Sequence, residues 1–379
     1  MSVEITPVRT RRQLRAFVRL PWRIYAHDPC WVPPLLLDEH KRFDPRRNPF
    51  FEHAEVQLFL ALQDGKPVGR ISAHIDRLHN EFHQEKTAFF GFFEAPQDEE
   101  VARALLGAAE RWARERGMTK LRGPFGFNTN GYSGLLVEGF DSPPALLMPY
   151  NPPYYAQFIE DSGYHKAKDL LAFRIEIDEA LHQRMEELLP RLEKIAERAR
   201  EKGFRVRSLN LRDFRGEVRR LREIYNEAWE RNWGFVPLTE REFTEQARDL
   251  KRIVRPELAK IVERADEPVG FALAVPDFNE ALKSLNGRLF PFGVFKLLRA
   301  ARRIRGLRLL TLGIKRRHRI RGVDALLYTA LIRDGLRLPF TRCECSWILE
   351  DNDLIIRAIE LVGGERYKTY RVYEKDLAG

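Results

Sequence analysis

The most telling stretch of this sequence runs from Arg308 to Gly335. A short apolar, strand-like run, 308–314, passes into the basic loop Lys315, Arg316, Arg317, His318, Arg319, Ile320, Arg321, Gly322. A helical pattern follows, with Ala325, Leu326, Leu327, Ala330 and Leu331 at helix spacing. Strand, cationic loop ending in glycine, helix: this order can build a phosphate site. The first amides of a helix have no internal partner and carry the positive end of its dipole, so a pyrophosphate can sit there with arginines around it. Gly322 lets the backbone approach the anion. The competing reading of the same stretch is a solvated basic helix start.

Two other groups carry reactive side chains. His74, Asp76, His79, Glu81 and His83 crowd a segment expected to be a loop between two strands, at intervals that fit no regular zinc pattern, so no metal is expected. Cys343 and Cys345 alternate along a predicted strand and share a face, which points to core packing. With Cys30 they make three cysteines, too few and too badly spaced for a disulfide framework.

The elements that must position the basic loop occur twice. At 379 residues, 44% hydrophobic and 32% charged, the chain is globular and long enough for two domains. The first half reads as a strand at 3–8, a helix at 11–26, and a hairpin of 55–63 with 67–75 around Asp64-Gly65. A strand at 87–94, a helix at 98–116, a strand at 121–125, a short helix at 152–162 and a strand at 170–177 complete it. A charged helix at 181–203 is expected to join the halves, and the order then recurs. Lys66-Pro67-Val68-Gly69 answers Glu267-Pro268-Val269-Gly270, and Asn151 answers Asn352, at one offset. The expected domains are 1–178, a linking helix 179–203, and 204–379 with an insertion at 276–306.

The run Arg319, Arg321, Gly322, Val323, Asp324, Ala325, Leu326 resembles the acyl-CoA pyrophosphate loop of the GNAT N-acyltransferases, Gln/Arg-x-x-Gly-x-Gly/Ala before a helix. Asp324 stands where the last Gly or Ala is expected. The segment from Glu344 to Asn352, followed by Ile355, Ile356, Ile359, Gly363, Gly364 and a strand at 367–373, resembles the fifth strand, fourth helix and last hairpin of the same fold. The resemblance covers nearly the whole chain and implies an α+β architecture of two tandem GNAT-like units, each a mixed twisted sheet flanked by helices. It also implies that acyl-CoA (acetyl-CoA or a longer chain) lies where the fourth and fifth strands splay apart, its pantetheine arm added like a strand. Leu312, Ile314, Arg316, Arg317, Arg319, Ile320, Arg321, Gly322, Val323 and Asn352 are the residues this assigns to the cofactor. The first copy opens its helix with Ala95-Pro96-Gln97-Asp98-Glu99-Glu100, and carboxylates there repel a pyrophosphate. The C-terminal half is therefore expected to bind acyl-CoA.

Family members transfer the acyl group directly to a neutral amine, with a carboxylate taking the amine proton and often a tyrosine of the fourth helix protonating the thiolate. Here Ile359-Glu360 occupies the tyrosine's expected place. By position the carboxylate candidates are Asp277 and Glu350, whose alternatives are helix capping and a surface charge. Asn128, Asn130, Tyr132, Trp233 and Asn279 are candidates to line a substrate pocket between the halves.

In the insertion, Val294, Leu297, Leu298, Ala301 and Ile304 fall on one helix face and Lys296, Arg299, Arg302 and Arg303 on the other. A lid, a cover for a long acyl chain, membrane-surface contact through 290–305, or ordinary packing all fit that pattern. A formal net charge of +10 raises nucleic acid as a partner. The excess is spread along the chain and no nucleic-acid module appears, so only tRNA is kept open, since the tandem build is also similar to the aminoacyl-tRNA-dependent transferases of peptidoglycan bridge synthesis. The basic insertion is compatible with a lipid product, as in the GNAT-like bacterial ceramide synthases, and a non-catalytic ligand-binding protein is the rival class. No apolar run approaches the roughly 20 residues a membrane span needs, and a cytoplasmic location is expected.

Overall fold

The computed structural model describes residues 3–128 and 131–377. The chain divides into two compact units, 1–171 with 281–299 and 368–379, and 172–280 with 300–367. These are not the bounds 1–178, 179–203 and 204–379 expected from the repeat.

In chain order the first unit's elements are β1 (Glu4–Pro7), α1 (Arg11–Arg19), α2 (Pro21–Ile24), α3 (Leu36–Arg42), β2 (Ala54–Gln63), β3 (Lys66–Asp76) and α4 (Arg77–His83). They continue with β4 (Thr87–Glu94), α5 (Glu99–Arg114), β5 (Lys120–Gly123), β6 (Leu135–Glu138), α6 (Tyr155–Asp161) and β7 (His165–Glu176), which runs on into the second unit. There follow α7 (Glu179–Glu201), β8 (Phe204–Ser208), α8 (Phe214–Trp229), α9 (Glu240–Leu250), β9 (Ala259–Arg264), β10 (Glu267–Pro276), α10 (Asn279–Leu282) and α11 (Gly293–Ala301). The last are β11 (Gly306–Ile314), α12 (Val323–Gly335), β12 (Arg342–Leu349), α13 (Asp353–Leu361) and β13 (Glu365–Asp376).

Each unit carries a mixed sheet. In the first, β1 to β4 pair antiparallel in order and β4 pairs parallel with β5. In the second, β8 to β11 pair antiparallel in order and β11 pairs parallel with β12. The 367–373 strand was expected to finish the second domain. Instead β13 pairs with β5 from Tyr373↔Gly123 to Asp376↔Lys120 and with β6 at Thr369 to Arg371, so its residues 369–376 finish the first sheet.

The expected linking helix is also an integral part of its unit. On α7, Ala196 and Ala199 are fully buried in one cluster with Val323, Leu326 and Leu327 of α12. The two alanines are small enough to let the helices approach closely, and a charged sequence hides so narrow an apolar stripe.

The sequence repeat has a physical cause. Val68 is an extra residue between the pairs Ala61↔Gly69 and Leu62↔Pro67, and Val269 is extra between Val262↔Gly270 and Glu263↔Pro268. Each is a bulge just before a glycine. A Cβ at Gly69 would stand 3.1 Å from the Glu94 carbonyl oxygen, and one at Gly270 3.0 Å from that of Gly313. The segment 77–83, expected as a loop, is a helix because the Asp76 carboxylate accepts from Leu78 N at 3.0 Å and caps it. No helix among the described residues is long and apolar enough to cross a membrane.

Candidate active site

The arrangement with most chemical content is a fork in the second unit. Pairing joins β11 to β12 at Gly306↔Arg342 through Leu309↔Cys345 and then stops, although β11 runs on to Ile314 and β12 to Leu349. On its other side β11 stays paired with β10 to Ile314, with Leu310 as an extra residue between Leu309 and Thr311. A bulge bends its strand, and the strands part at this one. The β11 edge at 310–313 therefore faces a gap, where an extended ligand can pair as an added strand. Two buried polar atoms on the arms of the fork, Thr311 Oγ1 and Trp347 Nε1, have no hydrogen-bond partner among the described residues, the condition expected where a ligand supplies one.

At the closed end of the fork sits a charged cluster. Arg308 and Glu344 are register partners, and both are buried together with Ser346. One Glu344 oxygen accepts from Ser346 Oγ at 2.5 Å and the other from the Tyr367 hydroxyl. Arg308 Nε donates to Ser346 Oγ at 3.2 Å, and its guanidinium lies 5.3 Å from the centroid of the Trp347 ring. Sequence reasoning misses this group because neither Arg308 nor Glu344 shows its partner within its own strand. The available signal was a charge at facing positions of two otherwise apolar strands.

By strand alternation Cys345 points to the other face of β12 from Glu344. A hydrogen bond with Cys343 and burial raise its thiol well above the ordinary value, so it is no thiolate nucleophile. Tyr328 of α12 is influenced by Asp324 and Cys345, but burial is the larger cause that pushes its phenol up to about 12. It therefore holds its proton at neutral pH. This tyrosine was missed because the family pattern directs attention to α13.

At the open end of the fork, β11 leads into the basic loop. Gly322, at φ +82°, precedes α12, whose first turn has no side-chain cap. The five cations are not equivalent. Lys315 is fully buried, paired with Glu223 and lying 3.6 Å from Glu267 and 3.9 Å from Glu227. Arg317 pairs with Glu267 at 2.5 Å. Burial works to raise the Glu267 carboxyl, but the bonds from Arg317 and His318 outweigh it and hold the group below its usual range. Arg319 donates to the Ile314 carbonyl at 3.2 Å and the Ala228 carbonyl at 2.6 Å, tying the strand end to α8. The side chains of Arg316 and Arg321 are exposed and make no hydrogen bond or ion pair among the described residues.

The other candidates are scattered. Leu312 is half-buried on β11 beyond the fork, Ile314 ends that strand, Ile320 is fully exposed at φ +60°, and Val323 is buried under α7. Asn352 caps α13 by accepting from Ile355 N. Asp277 is buried at the start of α10, where it accepts from Asn279 N at 3.1 Å and its own amide donates to Gly306. Glu350 directly follows β12. Asp277 thus lies at the base of β11, about 7 Å along the strand from Arg308, and Glu350 beyond the fork's mouth, about 20 Å along β12 from Glu344. Asn128 and Tyr132 belong to the first unit and Trp233 and Asn279 to the second, while Asn130 lies outside the described residues.

The first unit has the same strand order with both features closed. Beyond the pairing of β4 with β5, Phe125 N donates to the Phe90 carbonyl at 2.8 Å, and a Cβ at Gly91 would stand 1.7 Å from the Phe125 oxygen. The chain itself occupies the place of the gap. Asp98 caps α5, accepting from Glu100 N at 3.0 Å and Val101 N at 3.3 Å. Glu94, whose carboxyl burial raises, accepts from Tyr25 and Tyr155 at the end of β4.

Comparison with known proteins agrees with this architecture. A model of the acetyltransferase (GNAT) family matches residues 19–123, which lie in the first unit. The Escherichia coli (strain K12) protein YghO is 39% identical over 97% of this chain and 94% of its own length. A protein named bacterial ceramide synthase from Caulobacter vibrioides is 39% identical over 99% of this chain and 98% of its own. Among solved structures, a tandem GNAT protein from the clavulanic acid biosynthesis pathway superposes with a TM-score of 0.58 at 14% identity, covering 100% of this chain and 99% of that one. The chain therefore belongs to the GNAT acyltransferase family and has its tandem α+β fold.

Proposed function

We propose that this chain transfers an acyl group from acyl-CoA to an amine, with the cofactor held in the fork of the second unit. The observation that carries the reading is the contrast between the units. The second has an open strand edge at 310–313 and an uncapped α12, whereas the first fills the gap with Phe125 and caps its helix with Asp98. The orphaned Thr311 and Trp347 atoms fit a polar, extended ligand between the strands. Arg316, Arg321 and the first amides of α12 would hold the pyrophosphate. Arg319, Lys315 and Arg317 instead shape the loop through the partners described above.

Bound acyl-CoA supplies a thioester that a neutral amine can attack, forming a C–N bond as the C–S bond breaks. Glu344 is our choice for the group that accepts the amine proton, directly or through a water, because it stands where the fork closes and two hydroxyls orient it. Tyr328 would return a proton to the departing sulfur. A main-chain amide at the Leu310 bulge would stabilise the developing oxyanion. The acceptor we favour is a long-chain amine giving an N-acyl lipid, a reading supported by the name of the Caulobacter relative. Calorimetric titration with CoA, acetyl-CoA and palmitoyl-CoA tests it. Binding that strengthens with chain length supports a long-chain donor, equal binding points to a short one, and no binding refutes the reading.

A further inference from the structure

The sequence groups Leu298 with Val294, Leu297, Ala301 and Ile304 on one apolar helix face, and the structure leaves it exposed. Val294 and Leu297 are half-buried, while Phe290, Phe292, Phe295 and Leu298 are 68%, 71%, 72% and 60% exposed. These four make up a large share of the chain's exposed bulky apolar side chains, and they lie within nine consecutive residues. Such clustering distinguishes a patch from the scattered apolar residues of any surface.

Cations share the outward side. On α11, Phe295, Leu298 and Arg299 follow one another at helical spacing, with Arg302 next on the same line just past the helix end and Lys296 beside them. From 281 to 305 the sequence has seven cations (Lys283, Arg288, Lys296, Arg299, Arg302, Arg303 and Arg305) and no carboxylate. Among the described residues the side chains of Arg288, Lys296 and Arg299 make no hydrogen bond or ion pair.

The base of the segment is fixed within the first unit. Trp22 Nε1 donates to Asn286 Oδ1 at 2.9 Å, and Leu36 N donates to the Gly287 carbonyl at 3.0 Å. Gly287 has φ +76°, and a Cβ there would lie 2.5 Å from the Trp22 ring. Ala281, Leu285 and Gly293 are buried. A fixed base thus presents an outward ridge of aromatics among unpaired cations.

We propose that residues 288–299 dock this protein on the surface of an anionic phospholipid bilayer. The three phenylalanines and Leu298 enter the headgroup boundary, and Arg288, Lys296 and Arg299 lie against lipid phosphates. Charge selects this occupant. A purely apolar partner would leave the cations desolvated without counterions, whereas an anionic interface satisfies both kinds of side chain, the long basic stems running along the apolar layer with their heads outward. The proposal goes beyond the acyl-transfer reading and does not depend on it.

The test is sedimentation of the full-length protein with vesicles of phosphatidylglycerol and phosphatidylcholine, or of phosphatidylcholine alone, at low and high salt. Binding is expected to the anionic vesicles and to weaken with salt. K296Q/R299Q is expected to lower the apparent partition about 25-fold, from about five-fold per cation, and F290S/F292S/F295S to lower it about tenfold or more. Circular dichroism and thermal unfolding check that both variants are folded. No binding to anionic vesicles, or equal binding by wild type and both folded variants, overturns the proposal. So does light scattering that shows a dimer in wild type and a monomer in the triple phenylalanine variant, since the patch would then be covered by a second copy.

Discussion

Acid should weaken the first unit through His74, and the size of the effect follows from its surroundings. The ring is completely buried, stacked on Phe89 with Phe50 and Phe127 edge-on. Its Nε2 lies 2.6 Å from the Phe127 carbonyl, which can only accept, so Nε2 carries the proton. Nδ1 is buried without a partner among the described residues. A second proton would have no acceptor, and burial accordingly lowers the ring's pKa from 6.5 to about 4. The folded state binds the proton later than the unfolded chain. Stability from this group is therefore fully present above pH 6.5 and is lost as pH falls from 6.5 toward 4. At pH 5 the loss is about 1.5 pH units at 1.36 kcal/mol each, or about 2 kcal/mol. The pKa of His79, also buried, is likewise lowered to about 4, chiefly by burial and then by His83 and Arg122, so it adds to the slope. The carboxyls of Glu85, Asp169 and Glu374 are also held below their usual range, so they lose stability in acid with the same sign, and the comparison with His74→Gln separates the histidine's share. Hydrogen exchange of peptides spanning 70–76 and 120–128, corrected for intrinsic rates, reads the local opening free energy at pH 7.5 and 5.0. His74→Gln keeps a donor for Phe127 and should show a fall about 2 kcal/mol smaller than wild type. An identical fall in both proteins would refute the reasoning.

Two further outcomes concern the fork. Glu344→Gln should lower kcat by about a hundredfold to ten-thousandfold with CoA affinity little changed, while Asp277→Asn and Glu350→Gln act as comparison variants in the same steady-state assay. If either of those is the more damaging with its fold intact, the base is assigned wrongly. Arg316→Ala with Arg321→Ala should weaken CoA binding about tenfold at low salt and less at high salt. A salt-independent affinity would mean that these two arginines do not hold the pyrophosphate.

The fold was legible where local chemistry decides it. The Lys66-Pro67-Val68-Gly69 repeat survives because two bulges need a glycine against a neighbouring carbonyl, and Asp98 marks its helix start because a carboxylate caps free amides. What escaped depends on partners far apart in the chain. Nothing in 367–373 states that β13 pairs with β5, 250 residues or more earlier in the chain. The five cations of the basic loop look alike in sequence, but Glu223, Glu227 and Glu267 neutralise two of them and two carbonyls engage a third. Glu344 and Arg308 read as strand residues until the register sets them face to face.

The central claim, that the second unit holds the acyl donor, is tested most directly by hydrogen exchange of the intact protein with and without CoA. Slowed exchange at 310–326, with 90–101 unchanged, is the predicted result. Protection at 90–101 with none at 310–326 would contradict it and assign the cofactor to the first unit.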